Sequence, residues 1–71
     1  MRMIQEIKGE ELSMAGYEKY LALKSYINMY ITKRDSGYYS RVFDLDHAIY
    51  IGDTKEELEY YIEQQAAVYH L

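Results

Sequence analysis

The chain has no cysteine, no proline and no tryptophan among its 71 residues. Without cysteine it can form no disulfide, no thiolate nucleophile and no zinc site built on cysteine ligands. A domain this short buries a smaller share of its surface than a larger one does, so a well-packed core or a second copy of the chain has to stabilise it. We expect one domain over residues 1–71, and the sequence leaves a homodimer open.

The chain also lacks the long apolar run that a signal peptide or a membrane helix requires. Its first residues, MRMIQEIKGEEL, mix apolar with charged side chains. We therefore expect a cytoplasmic protein.

Basic residues are scarce in the second half of the chain. Residues 42–71 carry one, Lys55, against seven acidic residues, whereas residues 1–41 carry seven basic and five acidic ones. The net charge of −4 therefore comes from the second half, and its negative potential concentrates on whatever face that half forms. The chain is also rich in tyrosine, with ten residues, a side chain that packs in cores and is enriched in protein interfaces.

The clearest local signal lies near the C-terminus. The Gly52-Asp53 pair marks a turn, and Thr54 with Glu57 has the spacing of a capping box, which predicts a helix over about 54–70. Side chains at helical spacing predict one buried stripe along it. The stripe consists of Leu58, Tyr61, Ile62, Gln65, Val68 and Tyr69.

The middle of the chain, SYINMYITKRDSGYYSRVFDL, is typical of a β-hairpin. Ile27, Met29 and Ile31 alternate with more polar residues, as in a strand with one buried face. Residues 35–37 have turn chemistry, and the return strand is predicted from about Tyr38 to Leu45. DLDH then predicts a second turn, and AIYI a third strand that leads into the C-terminal helix.

Residues 17–31 fit a helix as well as a strand, and we divide them. Ser13 is predicted to cap a helix over about 14–24, and the strand is predicted to begin near residue 26. Residues 2–8 fit a short strand or a first helical turn. The predicted fold is therefore α+β: a three-stranded antiparallel sheet, four-stranded if residues 2–8 are a strand, with an N-terminal and a C-terminal helix on one face. Tyr26 and Tyr30 are expected on the other face.

The stretch VFDLDHA resembles the D-x-D motif of the aspartate-nucleophile phosphatases. Asp44 and Asp46 have the spacing that would let two strand residues share a magnesium ion. The motif then fails, because His47 and Ala48 replace its Gly-Thr and because 71 residues cannot hold that fold. We expect no phosphatase activity.

Other catalytic and metal sites are not predicted either. A calcium loop beginning at Asp44 lacks a ligand at Ala48 and a glycine at Ile49, and the two histidines, His47 and His70, are far apart in the chain. No serine lies in a nucleophile-elbow pattern, and the glycines are too scattered to cradle a phosphate. We expect a non-enzyme with no metal and no cofactor.

The acidic residues of the second half are therefore interpreted as a binding surface. On the predicted helix, Glu56, Glu59 and Glu63 face away from the buried stripe and into solvent. Glu59 and Glu63 are like charges four residues apart, which disfavours the helix slightly and suggests that the acidity has a use. We predict a partner-binding surface made of Asp44, Asp46, Asp53, Glu56, Glu59, Glu63 and Tyr60.

In its size, acidity, tyrosine content and lack of catalytic motifs, the chain resembles the small acidic inhibitors by which bacteriophages take over their hosts, including the DNA mimics. That resemblance implies a protein that occupies the DNA-binding surface of a basic host protein in the bacterial cytoplasm. Nucleoid proteins such as HU are among the targets of this class. An HU-type protein is accordingly the expected partner, and no direct contact with nucleic acid or membrane is expected.

Two alternatives remain. Lys33, Arg34 and Arg41, interleaved with Tyr38 and Tyr39, could bind single-stranded nucleic acid by stacking and phosphate contact. The order strand–GDTKEEL–helix also resembles the end of the HicB-type antitoxin domain, which implies a small regulatory subunit.

Overall fold

The structure, a computed structural model, describes residues 5–42 and 48–71. In chain order its elements are β1 (Gln5–Glu6), a 3-10 turn (Gly9–Glu11), α1 (Met14–Ile27), β2 (Tyr30–Arg34), β3 (Gly37–Arg41), β4 (Ile49–Gly52) and α2 (Lys55–Val68). The strands form one antiparallel sheet in the order β1-β2-β3-β4. The predicted α+β fold is confirmed, and the N-terminal strand that the sequence left open is present.

Both helices cover the same face of the sheet. Ile31 of β2 pairs with Ser40 of β3, and paired residues of an antiparallel sheet project to the same side. From α1, the hydroxyl of Tyr20 accepts a hydrogen bond from the Ile31 amide at 3.1 Å. From α2, the hydroxyl of Tyr61 donates to the Ser40 hydroxyl at 3.0 Å. Both helices also contribute buried side chains to the core that covers Ile31 and Tyr38, so they lie side by side on that face of the sheet.

The core fills the space between the sheet and the two helices. All its members are buried hydrophobic side chains, and each of α1, β2, β3 and α2 contributes to it. Their burial is the main favourable term in folding a chain without disulfides. The core residues are Ile7, Tyr20, Leu23, Ile27, Met29, Ile31, Tyr38, Leu58, Ile62 and Ala66.

The first helix begins where the sequence predicts and ends later. The Ser13 hydroxyl accepts a hydrogen bond from the Gly16 amide at 3.1 Å, as an N-cap does. The predicted end near residue 24 and the strand start near 26 are wrong, because α1 continues to Ile27 and β2 begins at Tyr30. Asn28 ends the helix in the left-handed conformation, with φ 54°, which asparagine tolerates better than most residues.

This later end also moves Tyr26 from the sheet to α1. Tyr20, Leu23 and Ile27 are all buried, at the i, i+3, i+7 spacing of a helix, so helical burial decided a segment that also fitted a strand. Tyr26 packs edge-on against Tyr69, with ring centroids 5.8 Å apart. Its expected place on the open sheet face is therefore wrong.

The β2–β3 hairpin turns at Asp35 and Ser36, as predicted. Gly37 follows with φ 127°, and a Cβ there would lie 2.6 Å from the Gly52 carbonyl oxygen, so only glycine fits. β3 ends at Arg41, short of the predicted Leu45, and Val42 lies outside the strand. Residues 43–47, including the rest of that prediction and the DLDH turn, fall outside the described residues. β4 covers Ile49–Gly52, one residue later than AIYI.

The capping box of α2 is confirmed. The Glu57 amide donates to Thr54 Oγ1 at 3.1 Å, and the Thr54 amide donates to Glu57 Oε1 at 3.1 Å. Of the predicted buried stripe, Leu58 and Ile62 are buried. The partly buried members are Tyr61, Gln65 and Tyr69. Val68 is 65% exposed, and its predicted burial is wrong. Val68 lies about 120° around the helix from Ile62, and Ala66 is buried in its place.

Candidate acidic binding surface

A groove rich in glutamates lies between the 3-10 turn and α2. Its volume is about 460 Å³. Five glutamates line it against a single cation, Lys55, and an exposed tyrosine lies among them. We call it the acidic groove, and its residues are Glu10, Glu11, Leu12, Ser13, Lys55, Glu56, Glu59, Tyr60 and Glu63.

The α2 side of the acidic groove carries its most exposed charges. Glu56 and Glu63 are both exposed, and they are separated by two helical turns, which places them on one face about 10.5 Å apart along the axis. Neither carboxylate hydrogen-bonds or ion-pairs with any residue in the described part of the chain.

Tyr60 lies between these two glutamates on the same helix and is 65% exposed. It lines the acidic groove and also a second groove on the other side of α2. A large exposed ring between charges supplies apolar contact area that the charges alone cannot. Tyr60, Glu56 and Glu63 thus line the same groove.

Glu59 behaves differently from what the sequence predicts. Its carboxylate accepts hydrogen bonds from the backbone amide of Ser13 at 2.6 Å and from the Ser13 hydroxyl at 3.1 Å. It approaches α1 so closely that a Cβ on Gly16 would collide with it. The expectation that Glu59 points freely into water is wrong, because α1 begins beside it and needs acceptors for its first amides.

The other side of the acidic groove comes from the 3-10 turn, which was not among the residues predicted for the surface. Glu10 is exposed. Glu11 accepts a hydrogen bond from the Tyr38 hydroxyl at 2.7 Å and lies 4.0 Å from the Lys33 ammonium. Burial and the hydrogen bond to Glu11 raise the pKa of Tyr38 to about 12. The turn belongs to the half of the chain with net positive charge, so a count by halves concealed its contribution.

Asp53 lies in a different hollow. It lines a small depression at the hairpin tip together with Lys33 and Arg34, and its carboxylate accepts a hydrogen bond from the Tyr50 hydroxyl. That hydrogen bond is the main reason why the pKa of Tyr50 is raised to about 12. Asp53 is thus not among the residues that line the acidic groove. Asp44 and Asp46, also predicted for the surface, lie outside the described residues, as does His47.

The basic residues of the alternative site do not converge. Lys33 lies over the Tyr38 ring at 5.8 Å, and Arg34 over the Tyr39 ring at 4.5 Å. Arg41 pairs with Tyr30 at the other end of the hairpin. Tyr30 lies four residues from Arg34 along β2, or about 13 Å away. Two of the three cations therefore already contact the tyrosines that were expected to stack on bases.

A second groove borders the sheet. It has a volume of about 530 Å³ and lies between β4 and α2. Apolar and aromatic side chains dominate it, with two glutamates at one end. We call it the edge groove, and its residues are Ile49, Tyr50, Ile51, Glu56, Glu57, Tyr60, Tyr61 and Gln64.

Within residues 5–42 and 48–71, no cluster of three histidine or acidic side chains is arranged to hold a metal ion. No helix in those ranges has the length and apolarity to cross a membrane. Comparisons of the chain with protein families, with curated proteins and with solved structures found no match.

Proposed function

We propose that the domain is a non-enzymatic binding protein whose acidic groove mimics DNA and occupies the DNA-binding surface of a basic protein. The observation that carries the proposal is the pair of exposed glutamates, Glu56 and Glu63, which have no partner among the described residues and lie on either side of the exposed Tyr60. An HU-type nucleoid protein is the first candidate, as in the phage inhibitors that the chain resembles.

The arrangement of charge supports a partner that binds DNA. Successive phosphates of one DNA strand lie about 3.4 Å apart along the axis, so the interval of about 10.5 Å between Glu56 and Glu63 corresponds to three phosphate steps. Two lysine or arginine side chains that contact phosphates three steps apart on DNA can thus contact Glu56 and Glu63 instead. Glu10, on the opposite wall, adds charge across the groove.

Tyr60 is expected to contribute most of the affinity for the partner, and the glutamates are expected to raise the association rate. Exposed carboxylates steer a basic partner and raise its association rate, but they contribute modestly to affinity once they are screened by salt. A tyrosine that becomes buried on binding supplies the desolvated contact typical of interface hot spots. The glutamates that steer the partner and the tyrosine that is buried on binding lie on the same face of α2.

Competition with DNA tests the proposal. Purified HU-type protein is first bound to a labelled DNA duplex, and the domain is added at low salt. We expect the domain to displace the duplex, and to do so less well as the salt concentration rises. A ternary complex that holds DNA, HU-type protein and the domain together would contradict mimicry.

A pull-down from bacterial lysate at low and high salt separates the alternatives. A basic DNA-binding protein that elutes with salt supports the proposal. Nucleic acid that stays bound after the lysate proteins are removed supports instead the hairpin site of Lys33, Arg34 and Arg41, and recovery of a toxin supports the antitoxin-like regulator.

A further inference from the structure

Among the described residues, β4 is an edge strand of the sheet. β4 is the last strand in the sheet order, and within the described residues no strand pairs with its outer side. An edge strand directs about half of its backbone N–H and C=O groups away from its neighbour, and these can pair with another chain.

The edge groove lies directly beside this open strand. Ile49 pairs with Ser40, and Ser40 contacts Tyr61 of α2, so Ile49 projects toward α2 and into the groove. Ile49 is 51% exposed, and Tyr60 faces it from the helix side. An open strand edge next to a helix, with an apolar hollow between them, is the arrangement in which extended peptides add a strand to a sheet.

The charges around the edge groove select the occupant. Glu56 and Glu57 lie at its end, and none of its lining residues is a lysine or an arginine. Successive residues of a strand project to opposite faces. A segment that carries apolar residues on its helix-facing side, with a basic residue at the end of that side, would pack against Ile49 and Tyr60 and place its cation near Glu56 and Glu57.

A second copy of this chain fits the edge groove less well. Its own β4, IYIG, is uncharged and is followed by Asp53. A parallel pairing of two β4 edges would bring Glu56, Glu57 and Asp53 of one copy near those of the other, and like charges facing each other oppose association. An antiparallel pairing would offer Glu56 and Glu57 no cation from the other copy's β4.

We propose that β4 and α2 receive an extended segment of the basic partner, which adds a fifth strand to the sheet by pairing with β4. The inference rests on the proposed function, since Glu56 and Tyr60 line both grooves and one partner would cover them together. The acidic groove then meets the partner's DNA-binding face, while the edge groove holds a strand that borders that face.

A synthetic peptide tests the strand addition without any assumption about the partner. The probe is a short peptide with capped ends, added to the isotopically labelled domain. One face of the peptide carries valines with a lysine at each end, and the other face carries threonines. We expect NMR chemical-shift changes at the backbone amides of β4 and at Tyr60. Methylating alternate backbone nitrogens of the peptide removes hydrogen bonds along one of its edges and should weaken binding about tenfold or more.

Two variants locate the peptide. Ile49→Lys places a cation in the edge groove and should abolish peptide binding. Leu21→Lys is the matched control, because Leu21 is similarly exposed but lies on α1, outside both grooves, and it should leave binding unchanged. Thermal unfolding of both variants identifies any loss of fold, and the methylated peptide on the unaltered domain remains decisive if Ile49→Lys unfolds.

The outcomes separate this inference from the proposed function. Peptide binding at β4 without displacement of DNA from HU-type protein supports strand addition and refutes mimicry of that target. Displacement of DNA that is unaffected by Ile49→Lys, with equal binding of methylated and unmethylated peptides, refutes strand addition and leaves mimicry standing. A dimer of the domain that Ile49→Lys converts to a monomer would show that a second copy occupies the edge, which also overturns the inference.

Discussion

The carboxylate of Glu59, in α2, accepts two hydrogen bonds from Ser13, the residue that caps α1. Ser13 in turn accepts from the Gly16 amide, so a side chain of the second helix completes the capping of the first. Residues 46 positions apart in sequence are joined at the point where α1 begins. Glu59 is therefore a residue of the fold as well as of the acidic groove.

Removal of this carboxylate should destabilise the domain. We expect Glu59→Ala to lower the free energy of unfolding by about 1–2 kcal/mol, because the Ser13 amide loses a charged acceptor. Glu63→Ala is the control, since Glu63 has no such partner among the described residues, and it should change stability by less than about 0.5 kcal/mol. Urea denaturation of the two variants measures both values. Equal effects would mean that the Glu59–Ser13 contact contributes nothing.

The Tyr20 hydroxyl should matter more than its small size suggests. It accepts from the buried Ile31 amide at 3.1 Å and donates to Glu6 Oε2 at 2.5 Å. Tyr20→Phe leaves that amide without an acceptor, which should cost about 1–3 kcal/mol. Tyr17→Phe is the control, because the Tyr17 hydroxyl has no hydrogen bond to a described residue. Comparable melting temperatures for the two variants would contradict this role.

Glu6 should make stability depend on acid pH. Partial burial opposes its ionisation, but hydrogen bonds from Lys24, at 2.6 Å, and from Tyr20 outweigh burial and lower its pKa from the usual 4.5. A carboxyl group with a lowered pKa in the folded state stabilises the protein fully above its unfolded value and loses that contribution as the pH falls through its folded value. The effect is modest, because the Glu6 side chain is 36% exposed.

A charge-neutral variant isolates this effect. The difference in unfolding free energy between the unaltered domain and Glu6→Gln should be largest near neutral pH. It should shrink steadily as the pH is lowered through and below about 4.5. Denaturant titrations across that pH range measure this difference in unfolding free energy. A difference that stays constant with pH would show that the charge of the Glu6 carboxylate does not stabilise the fold.

The capping box of α2 provides a test of the helix start. Thr54→Ala removes the acceptor of the Glu57 amide and should cost about 1 kcal/mol. Thr54→Ser keeps the hydroxyl and should cost much less. If the two substitutions lower the melting temperature equally, the hydroxyl is not the stabilising group.

Signals confined to a few residues predicted the fold well. The capping box at Thr54, the cap at Ser13 and the turn before Gly37 are each set by neighbouring side chains, and all three were correct. The boundary between α1 and β2 was wrong because Ile27 satisfies both the helical and the strand period. The choice between helix and strand depends on the packing of Ile27 beside Leu23 in the core, between α1 and the sheet.

The acidic groove was predictable on one side only. Glu56, Tyr60 and Glu63 follow from the helical period of α2. Glu10 reaches the same groove because the 3-10 turn packs beside α2, and Glu59 turns toward Ser13 because α1 starts there. Both depend on contacts between distant parts of the chain, for which no local pattern in the sequence gives a signal.

Reversal of one exposed charge should separate binding from folding. Glu63→Lys changes a glutamate of the acidic groove, and Glu18→Lys makes the same charge change on an exposed glutamate of α1 that lines neither groove. Neither glutamate has a described partner, so both variants should fold. Glu56 is less suitable, because it lies in the first turn of α2, where negative charge stabilises the helix.

At low salt, Glu63→Lys should weaken displacement of DNA from HU-type protein about tenfold, because a lysine there repels the cations that a DNA-binding surface presents. Glu18→Lys should weaken displacement far less. Raising the salt concentration should reduce the difference in displacement between the two variants, because salt screens the charges. Equal loss in the two variants would mean that overall charge, and not the acidic groove, determines binding.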